Sequence, residues 1–287
     1  MWAHSYSGRV LDNPRSPRVR NVAKLAKKQR RQEARLFLVE GPQAIREALI
    51  HAPDLVEEVF ATPEGMDRHP DIFALASRED IPVMVVSEAA ISQMCDTVTP
   101  QGILAVCGFV DTPLEQVLAT APTNIAVLHR VQDPGNVGNI IRSADAAGAS
   151  AIVVTAESVD VFNPKVVRAT TGSLFHIPLV IGVELARVID LVKGAGLAVF
   201  ATDARGESLV DLHASGDLSK PTAWVFGNEA QGLTQEDAQL ADRCVAIPLY
   251  GLAESLSVPT AAALCLYQTA FAQHTPAHPE AALGLVE

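Results

Sequence analysis

The feature that most constrains the fold of this chain is a series of ten short apolar runs separated by helix-like or polar segments. The runs span residues 35–41, 55–62, 81–87, 102–110, 124–131, 151–156, 177–182, 197–203, 222–227 and 244–249. Short apolar strands that alternate with helices predict a parallel sheet covered on both faces. The expected fold class is therefore α/β, and 287 residues are enough for two such domains.

A boundary between two domains is predicted over residues 111–124, where the periodicity weakens and two prolines occur. A small α/β domain is expected before this boundary and a larger parallel-sheet domain after it. The predicted divisions are a basic arm over 1–34, a small domain over 35–112, a linker over 113–123, a second domain over 124–273 and a loose tail over 274–287.

Composition excludes several classes of protein. The chain is 48% hydrophobic and 19% charged, which is typical of a globular protein and not of a disordered one. The start lacks the apolar region of a secretory signal, and no uninterrupted apolar run reaches the length of about 18 residues that spans a membrane, so we expect a cytoplasmic protein without a membrane partner. The four cysteines show no metal-binding or disulfide spacing, so no metal is expected.

Basic residues are concentrated at one end of an otherwise acidic chain. The net charge is −11, yet residues 1–46 hold eleven of the 22 basic residues and only three of the 33 acidic ones. Such an asymmetry predicts a basic arm that binds an anionic partner such as RNA, although a solvated helix face would also fit. The candidate RNA-binding residues on this predicted helix are Lys24, Lys27, Lys28, Arg30 and Arg31.

Three loops rich in Gly, Asn, Glu and Ser each follow an apolar run: "QDPGNVGN" at 132–139, "GNEAQGL" at 227–233 and "YGLAESLS" at 250–257. In open α/β sheets, ligands bind at the carboxyl ends of the strands, so these loops are candidates for a shared site. None of them has the spacing of a dinucleotide fingerprint or a phosphate-binding P-loop, which disfavours an ordinary nucleotide fold. His129 and Arg130, just before the first loop, are expected to be structural or RNA-facing.

A helix is predicted from about residue 138 to 147, which would place Arg142 one turn from its start. Its apolar stripe consists of Ile140, Ile141, Ala144 and Ala147. Asn139, Arg142 and Asp145 share the opposite side of the helix. Two interpretations stay open from the residues alone: an exposed ion pair between Arg142 and Asp145, or a functional arginine next to the loop.

The three loops together resemble a known family. "NVGNIIRSADAAG", "FGNEAQGL" and "IPLYGLAESLSVPTAAALCLYQ" are similar, in order, to the three signature motifs of the SpoU (TrmH-like) branch of the SPOUT RNA methyltransferases. The basic helix and "RLFLVEGPQAIREAL" resemble the start of the substrate-binding domain of its ribosomal RNA members. The resemblance covers residues from about 20 to 272.

This resemblance implies a C-terminal SPOUT domain with a deep trefoil knot, a homodimer, and transfer of a methyl group from S-adenosyl-L-methionine to a ribose 2′-hydroxyl of RNA. The small N-terminal domain favours 23S ribosomal RNA as the substrate. A transfer RNA substrate and a non-catalytic RNA-binding or ribosome-assembly protein with the same fold are the alternatives. The implied catalytic residues are Arg142, Asn136, Glu229 and Ser255, and the implied cofactor-binding residues are Thr202, Gly227, Ile247, Leu256 and Ser257.

One position departs from the family pattern. Ser257 stands where the family commonly has Asn, and serine has no amide donor. A contact with the cofactor at Ser257 could therefore be water-mediated or absent. A structural alternative is that Ser257 caps the last helix, with Pro259 in its first turn.

Overall fold

The computed structural model of the chain describes residues 10–274, so the predicted tail beyond His274 and the first nine residues of the predicted basic arm lie outside the described residues. Within 10–274, no helix combines the length and the apolar character needed to cross a bilayer.

Residues 10–274 form ten strands, and each lies within or overlaps one of the ten predicted apolar runs. The strands are β1 Leu36–Glu40, β2 Val56–Ala61, β3 Val83–Val85, β4 Ile103–Gly108, β5 Asn124–Leu128, β6 Ala151–Thr155, β7 Leu179–Val183, β8 Ala198–Ser208, β9 Thr222–Phe226 and β10 Arg243–Ala246.

The α-helices outnumber those predicted. They are α1 Pro17–Ala23, α2 Lys28–Ala34, α3 Pro42–His51, α4 Pro63–Arg68, α5 Pro70–Arg78, α6 Glu88–Met94, α7 Leu114–Ala119, α8 Pro134–Ala146, α9 Pro164–Thr170, α10 Leu185–Gly194, α11 Leu209–Ala214, α12 Gln235–Gln239 and α13 Val258–His274. Short 3₁₀ turns form at Lys24–Ala26, Pro53–Leu55, Ser173–Phe175 and Asp217–Ser219.

The described residues form two compact units. The first unit contains residues 10–112, 132–142 and 159–179, and the second contains residues 113–131, 143–158 and 180–274. Each unit is therefore assembled from segments that are not contiguous in sequence. The contiguous domain divisions drawn from the sequence stay a prediction.

The sheet of the first unit has the strand order β1-β4-β2-β3. β2 and β3 are parallel, but β4 runs antiparallel to both β1 and β2. The expectation of a parallel sheet is therefore wrong for this unit, because the last strand enters between the first two in the opposite direction. One of its cores includes Leu38, Phe60, Ile91 and Leu104.

The segment 159–179 belongs to the first unit because it contributes to an aromatic cluster on that unit's sheet. Phe162 lies 3.9 Å from Phe109 and 4.8 Å from Phe37 between ring centroids, and Phe175 lies 6.2 Å from Phe37. Buried aromatic rings contribute large apolar areas and favourable ring contacts.

The basic segment is not one continuous helix. Lys27 adopts an extended conformation (φ −93°, ψ 130°) that separates α2 from the 3₁₀ turn before it. Lys24, Lys27, Lys28 and Arg30 are exposed, as predicted for this surface.

Arg31 is the exception among the candidate RNA-binding residues. Its side chain is 3% exposed, and Nη2 lies 2.6 Å from Asp160 Oδ2. Its Nη1 also donates to the carbonyl oxygens of Leu25 and Ala26, at 2.8 and 2.7 Å. A buried guanidinium needs such partners, so Arg31 stabilises the first unit, and the expectation that it contacts RNA is corrected.

The sheet of the second unit has the order β10-β8-β9-β5-β6-β7, and β10/β8, β8/β9, β9/β5 and β5/β6 are parallel pairs. The parallel sheet predicted for this half is thus confirmed. The predicted linker contains α7, whose Leu114 and Val117 are buried in the core of this unit. The chain proceeds outward from β5 to β7 and then resumes on the other side of β5, which places a topological switch between β5 and β9. The trefoil knot stays a prediction.

Candidate active site

A cleft of about 430 Å³ lies in the second unit, where β8 bulges and where β9 and β10 end. Loops that follow neighbouring parallel strands meet at one edge of a sheet, which explains why distant stretches of sequence line a single cleft. Six of the predicted site residues line it: Thr202, Gly227, Glu229, Ile247, Ser255 and Leu256.

The loop after β9 is closed by its own backbone. Asn228 and Gly232 exchange two hydrogen bonds, N to O, at 3.1 and 2.9 Å. The side chain of Asn228 accepts from the backbone N–H of Ala230 and donates to the carbonyl of Arg130, both at 2.9 Å. A Cβ on Gly227 would lie 2.5 Å from the carbonyl carbon of Gly232, so only glycine allows this close approach. The loop thus presents backbone to the cleft in a fixed conformation.

A bulge in β8 forms the second wall of the cleft. The pairing of β8 with β10 jumps from Ala201 opposite Cys244 to Glu207 opposite Val245, which leaves residues 202–206 outside the regular ladder. Within the bulge, the Thr202 hydroxyl donates to the carbonyl oxygen of Val225 at 3.1 Å. Thr202 is thereby tied to β9.

The bulge also places an ion pair at the cleft. Arg205 Nη2 lies 2.9 Å from Asp203 Oδ2, and hydrogen bonding from Arg205 lowers the pKa of the Asp203 carboxyl. Glu229 and Glu254 also line the cleft. Three carboxylates against one guanidinium make the lining acidic, which suits a ligand that carries positive charge.

The third loop separates two serines that are close in sequence. Ser255 is exposed and lines the cleft, but Ser257 is absent from the lining. The Ser257 hydroxyl lies 2.8 Å from Thr260 Oγ1 and accepts a longer bond from the Thr260 N–H at 3.4 Å, at the start of α13. The structure therefore has Ser257 as a helix cap, which is the structural alternative that its sequence context allowed.

Helix α8 begins one turn earlier than predicted. Asp133 Oδ1 accepts from the backbone N–H of Asn136 at 2.8 Å, and Pro134 is the first helical residue. The Asp-Pro pair is an ordinary helix start, and the glycines that follow it are helical. Arg142 consequently lies more than two turns inside the helix, so its predicted position one turn from the start is wrong.

Arg142 projects from the polar side of α8. The predicted apolar stripe is confirmed, because Ile140, Ile141 and Ala144 are fully buried while Arg142 is exposed. The alternative ion pair with Asp145 does not form: within residues 10–274, the Arg142 side chain has neither a hydrogen bond nor an ion pair. Arg142 and Asn136 belong to the first unit, and their place in the site stays a prediction.

A polar cluster follows β5 in the second unit. His129 is buried, with Nδ1 3.2 Å from Thr155 Oγ1, and burial lowers the pKa of its imidazole despite the nearby Asp237 carboxylate. Arg130 has a left-handed backbone (φ 57°) and pairs with Glu157 at 2.6 Å and Asp237 at 3.3 Å. These contacts link the ends of β5 and β6 to α12, which agrees with the structural interpretation of both residues.

Several residues that shape the cleft escaped the sequence analysis. Asn228 could have been found, since an asparagine that starts a glycine-rich turn commonly bonds to the backbone two residues on. Asp203 and Arg205 gave no signal, because the bulge that places them depends on the register between β8 and β10. Glu254 lies next to a predicted residue but carries no motif of its own.

Comparisons with known sequences find a matching family profile for each half of the chain. The profile of the SpoU rRNA Methylase family matches residues 123–267, and that of the MRM3-like substrate binding domain matches residues 16–105. The chain is 35% identical to the 23S rRNA (guanosine(2553)-2′-O)-methyltransferase RlmP of Bacillus subtilis (strain 168), over 90% of this chain and 97% of that one.

Solved structures agree with these sequence matches. The AdoMet-bound rRNA methyltransferase from Sinorhizobium meliloti superposes with a TM-score of 0.78 and 30% identity, over 91% of this chain and 97% of that chain. The SpoU methyltransferase AviRb from Streptomyces viridochromogenes gives a TM-score of 0.77 and 28% identity, over 90% of this chain and 98% of that chain. The chain therefore belongs to the SpoU rRNA methylase family.

Proposed function

We propose that this protein transfers a methyl group from S-adenosyl-L-methionine to a ribose 2′-hydroxyl of 23S ribosomal RNA in the cytoplasm. The observation that carries the proposal is the cleft in which three stretches meet: the bulge of β8 at 202–205, the loop after β9 at 227–233, and the end of β10 with its following loop at 245–256. The substrate follows from the family and from relatives named as 23S ribosomal RNA 2′-O-methyltransferases.

The cleft fits the cofactor in size and in charge. Its volume of about 430 Å³ lies within the range of about 300–1,000 Å³ that is usual for small-molecule sites. S-adenosyl-L-methionine supplies the methyl group on a sulfonium and also carries an ammonium, and the carboxylates of Asp203, Glu229 and Glu254 favour these cations. Backbone groups at Gly227, Ile247 and Leu256, together with Thr202, would hold the adenosine and methionine parts.

Arg142 is proposed to orient the RNA. A guanidinium stays protonated at neutral pH, so it is a poor base there but a good bidentate partner for a phosphate or a developing alkoxide. Its five donors are not used by any described residue, which is what such a role requires. Orientation accounts for much of the rate in a displacement of this kind, because the attacking oxygen and the methyl carbon must be aligned. Asn136, Glu229 and Ser255 would complete the catalytic set.

The basic segment is proposed to bind the phosphates of the RNA. Lys24, Lys27 and Lys28 are exposed and form no ion pair within the described part of the chain. Arg30 pairs with Glu33 at 2.6 Å on the surface, so it is expected to contribute less. Phosphate contacts fix position and affinity without reading sequence, so this segment would set the register of folded RNA on the protein.

A homodimer is proposed through α13. This helix is mostly apolar and has no single polar face, and Leu264, Tyr267 and Phe271 remain exposed along one side, with Phe271 58% exposed. A helix of this composition is normally covered. Light scattering on the purified chain tests the assembly, and substitution of Leu264 and Phe271 by Glu should yield monomers.

The activity is tested by mapping 2′-O-methylation across total RNA from cells with and without the protein. We expect one position in 23S ribosomal RNA to lose its methyl group and to regain it with the wild-type gene. Loss at a transfer RNA position would instead favour the alternative substrate. Unchanged methylation together with no binding of S-adenosyl-L-methionine in calorimetry would favour a non-catalytic RNA-binding or assembly protein.

A further inference from the structure

Two histidines and a carboxylate converge in the first unit, in a place that the proposed activity does not use. The Nε2 atoms of His176 and His51 lie 3.1 and 3.5 Å from Glu47 Oε2. One potential ligand atom from each of the three residues falls within 4.8 Å of the other two. Their rings do not stack: the imidazoles meet edge to face at 64°, with centroids 4.5 Å apart.

The two distances to Glu47 match those between neighbouring ligand atoms of a tetrahedral metal ion. Bonds of about 2.0–2.1 Å to nitrogen and oxygen place neighbouring ligand atoms roughly 3.3 Å apart in a tetrahedron. Two imidazoles with one carboxylate form a donor set that suits Zn²⁺ and other borderline divalent ions better than it suits Mg²⁺ or Ca²⁺. Three protein ligands leave a fourth position for water.

The local structure holds the ligands in place. Glu47 and His51 are one turn apart on α3, so their side chains lie on the same face of the helix. The other oxygen of Glu47 accepts a hydrogen bond from Gln43, which is the kind of outer contact that orients a ligating carboxylate. A Cβ on Gly172 would lie 2.4 Å from Glu47 Cγ, so that glycine lets the Glu47 side chain pass close to the turn that carries His176.

We propose that Glu47, His51 and His176 form a Zn²⁺ site that joins α3 to the turn over 171–177. Both elements belong to the first unit, and α3 packs against the 3₁₀ turn Ser173–Phe175 within it. Binding of a metal to the folded chain stabilises the fold by mass action. The ion acts as a structural clamp in the RNA-binding half of the protein and not as part of methyl transfer.

The site could not be found from residue spacing. Glu47 and His51 have an ordinary helical separation, and His176 lies 125 residues beyond His51. The cysteines, whose spacing led to the expectation of no metal, take no part in it.

The test uses the full-length, tag-free protein, stripped with a chelator and titrated with ZnCl₂. We expect one bound equivalent per chain, and a rise in Tm of roughly 5 °C at a hundredfold excess over Kd. With CoCl₂ the same protein should show the visible absorption of a four- or five-coordinate ion. The variants His51→Ala and His176→Ala should each weaken Zn²⁺ binding at least tenfold, and the exposed His213→Ala should leave it unchanged.

Glu47→Gln keeps the shape of the side chain and removes its charge, so it distinguishes loss of a ligand from loss of the fold. It should bind Zn²⁺ at least tenfold more weakly while retaining a cooperative melting transition. The proposal is overturned if the stripped protein takes up no more Zn²⁺ than the His51→Ala/His176→Ala double variant, or if His213→Ala weakens binding as much as the site variants do.

Discussion

The stretches 132–139 and 227–233 look alike in sequence but form different structures. Both are rich in Gly and Asn, and both follow an apolar strand. Most of the first is helix α8, in which Gly138 packs so tightly on α9 that a Cβ would lie 2.4 Å from Ala169 Cβ. The second remains a loop, closed by the two backbone hydrogen bonds between Asn228 and Gly232.

The difference begins with the second residue of each stretch. Asp133 precedes a proline, so its carboxylate caps a helix whose first φ is already fixed. Asn228 precedes Glu229, and its side chain bonds to the backbone of Ala230 in a turn instead. The first stretch consequently starts the helix that carries Arg142, while the second lines the cleft with its backbone.

The largest effect, on the rate of methyl transfer, is expected at Arg142 in the helix that the first stretch starts. Arg142→Ala should lower the rate of methyl transfer roughly 10³-fold, because a positioned donor to developing charge is worth about that much. Arg142 is exposed and has no bond to a described residue, so Tm and the affinity for S-adenosyl-L-methionine should not change. Single-turnover transfer of a labelled methyl group, together with calorimetry, measures both.

Arg142→Lys distinguishes bidentate positioning from charge alone. Lysine keeps the positive charge but loses the planar fork, so we expect most of the activity to be lost with cofactor binding intact. A lysine variant that retains appreciable activity would argue against the bidentate role.

A smaller effect, on the affinity for the cofactor and not on the rate of transfer, is expected at Gly227, where loop backbone lines the cleft. Gly227→Ala places a Cβ within 2.7 Å of three backbone atoms of Gly232 and Leu233, so the loop has to move. We expect the Kd for S-adenosyl-L-methionine to rise at least tenfold. Gly251→Ala, where a Cβ meets nothing within 4 Å, is the matched control. Equal affinities for the two variants would mean that the loop does not hold the cofactor.

The strands could be predicted from the sequence because burial on both faces leaves a simple apolar signal. Helices were missed where their stripe is short or interrupted: α7 lies in the predicted linker, and α4, α11 and α12 have six residues or fewer. The antiparallel direction of β4 and the placement of 159–179 in the first unit depend on long-range packing, such as that of Phe162, which no local pattern encodes.

Residues that line the cleft could be predicted where they belong to a loop motif, and they were missed where long-range packing places them. Glu229 and Ser255 belong to loops that follow strands, so their position at the sheet edge follows from the topology. The burial of Arg31 could not be read from its sequence, because Asp160, its partner, lies 129 residues away. The cluster of Glu47, His51 and His176 was missed for the same reason, because His176 is far from the other two in sequence.

The packing of Gly138 gives a prediction for stability. Gly138→Ala forces a Cβ against Ala169 and the carbonyl oxygen of Val166, and overpacking of this kind costs about 1–3 kcal/mol in the free energy of unfolding. Denaturant unfolding measures it. Gly194→Ala in α10 is the control, since its Cβ would meet nothing and alanine favours a helix by up to about 1 kcal/mol. If Gly138→Ala were as stable as the wild type, close packing would not explain this glycine.

The smallest effect separates the two serines of the third loop. Ser257→Ala removes a helix cap, so it should lower the free energy of unfolding by about 1 kcal/mol and leave the affinity for S-adenosyl-L-methionine within twofold. Ser255→Ala should instead lower the affinity for S-adenosyl-L-methionine and leave the free energy of unfolding unchanged. Ser255 lines the cleft and has no hydrogen-bond partner among residues 10–274. A tenfold loss of cofactor affinity in Ser257→Ala would return that residue to the cofactor site. Ser257 would then bind the cofactor in addition to capping α13, although the helix-capping hydrogen bond does not require such a contact.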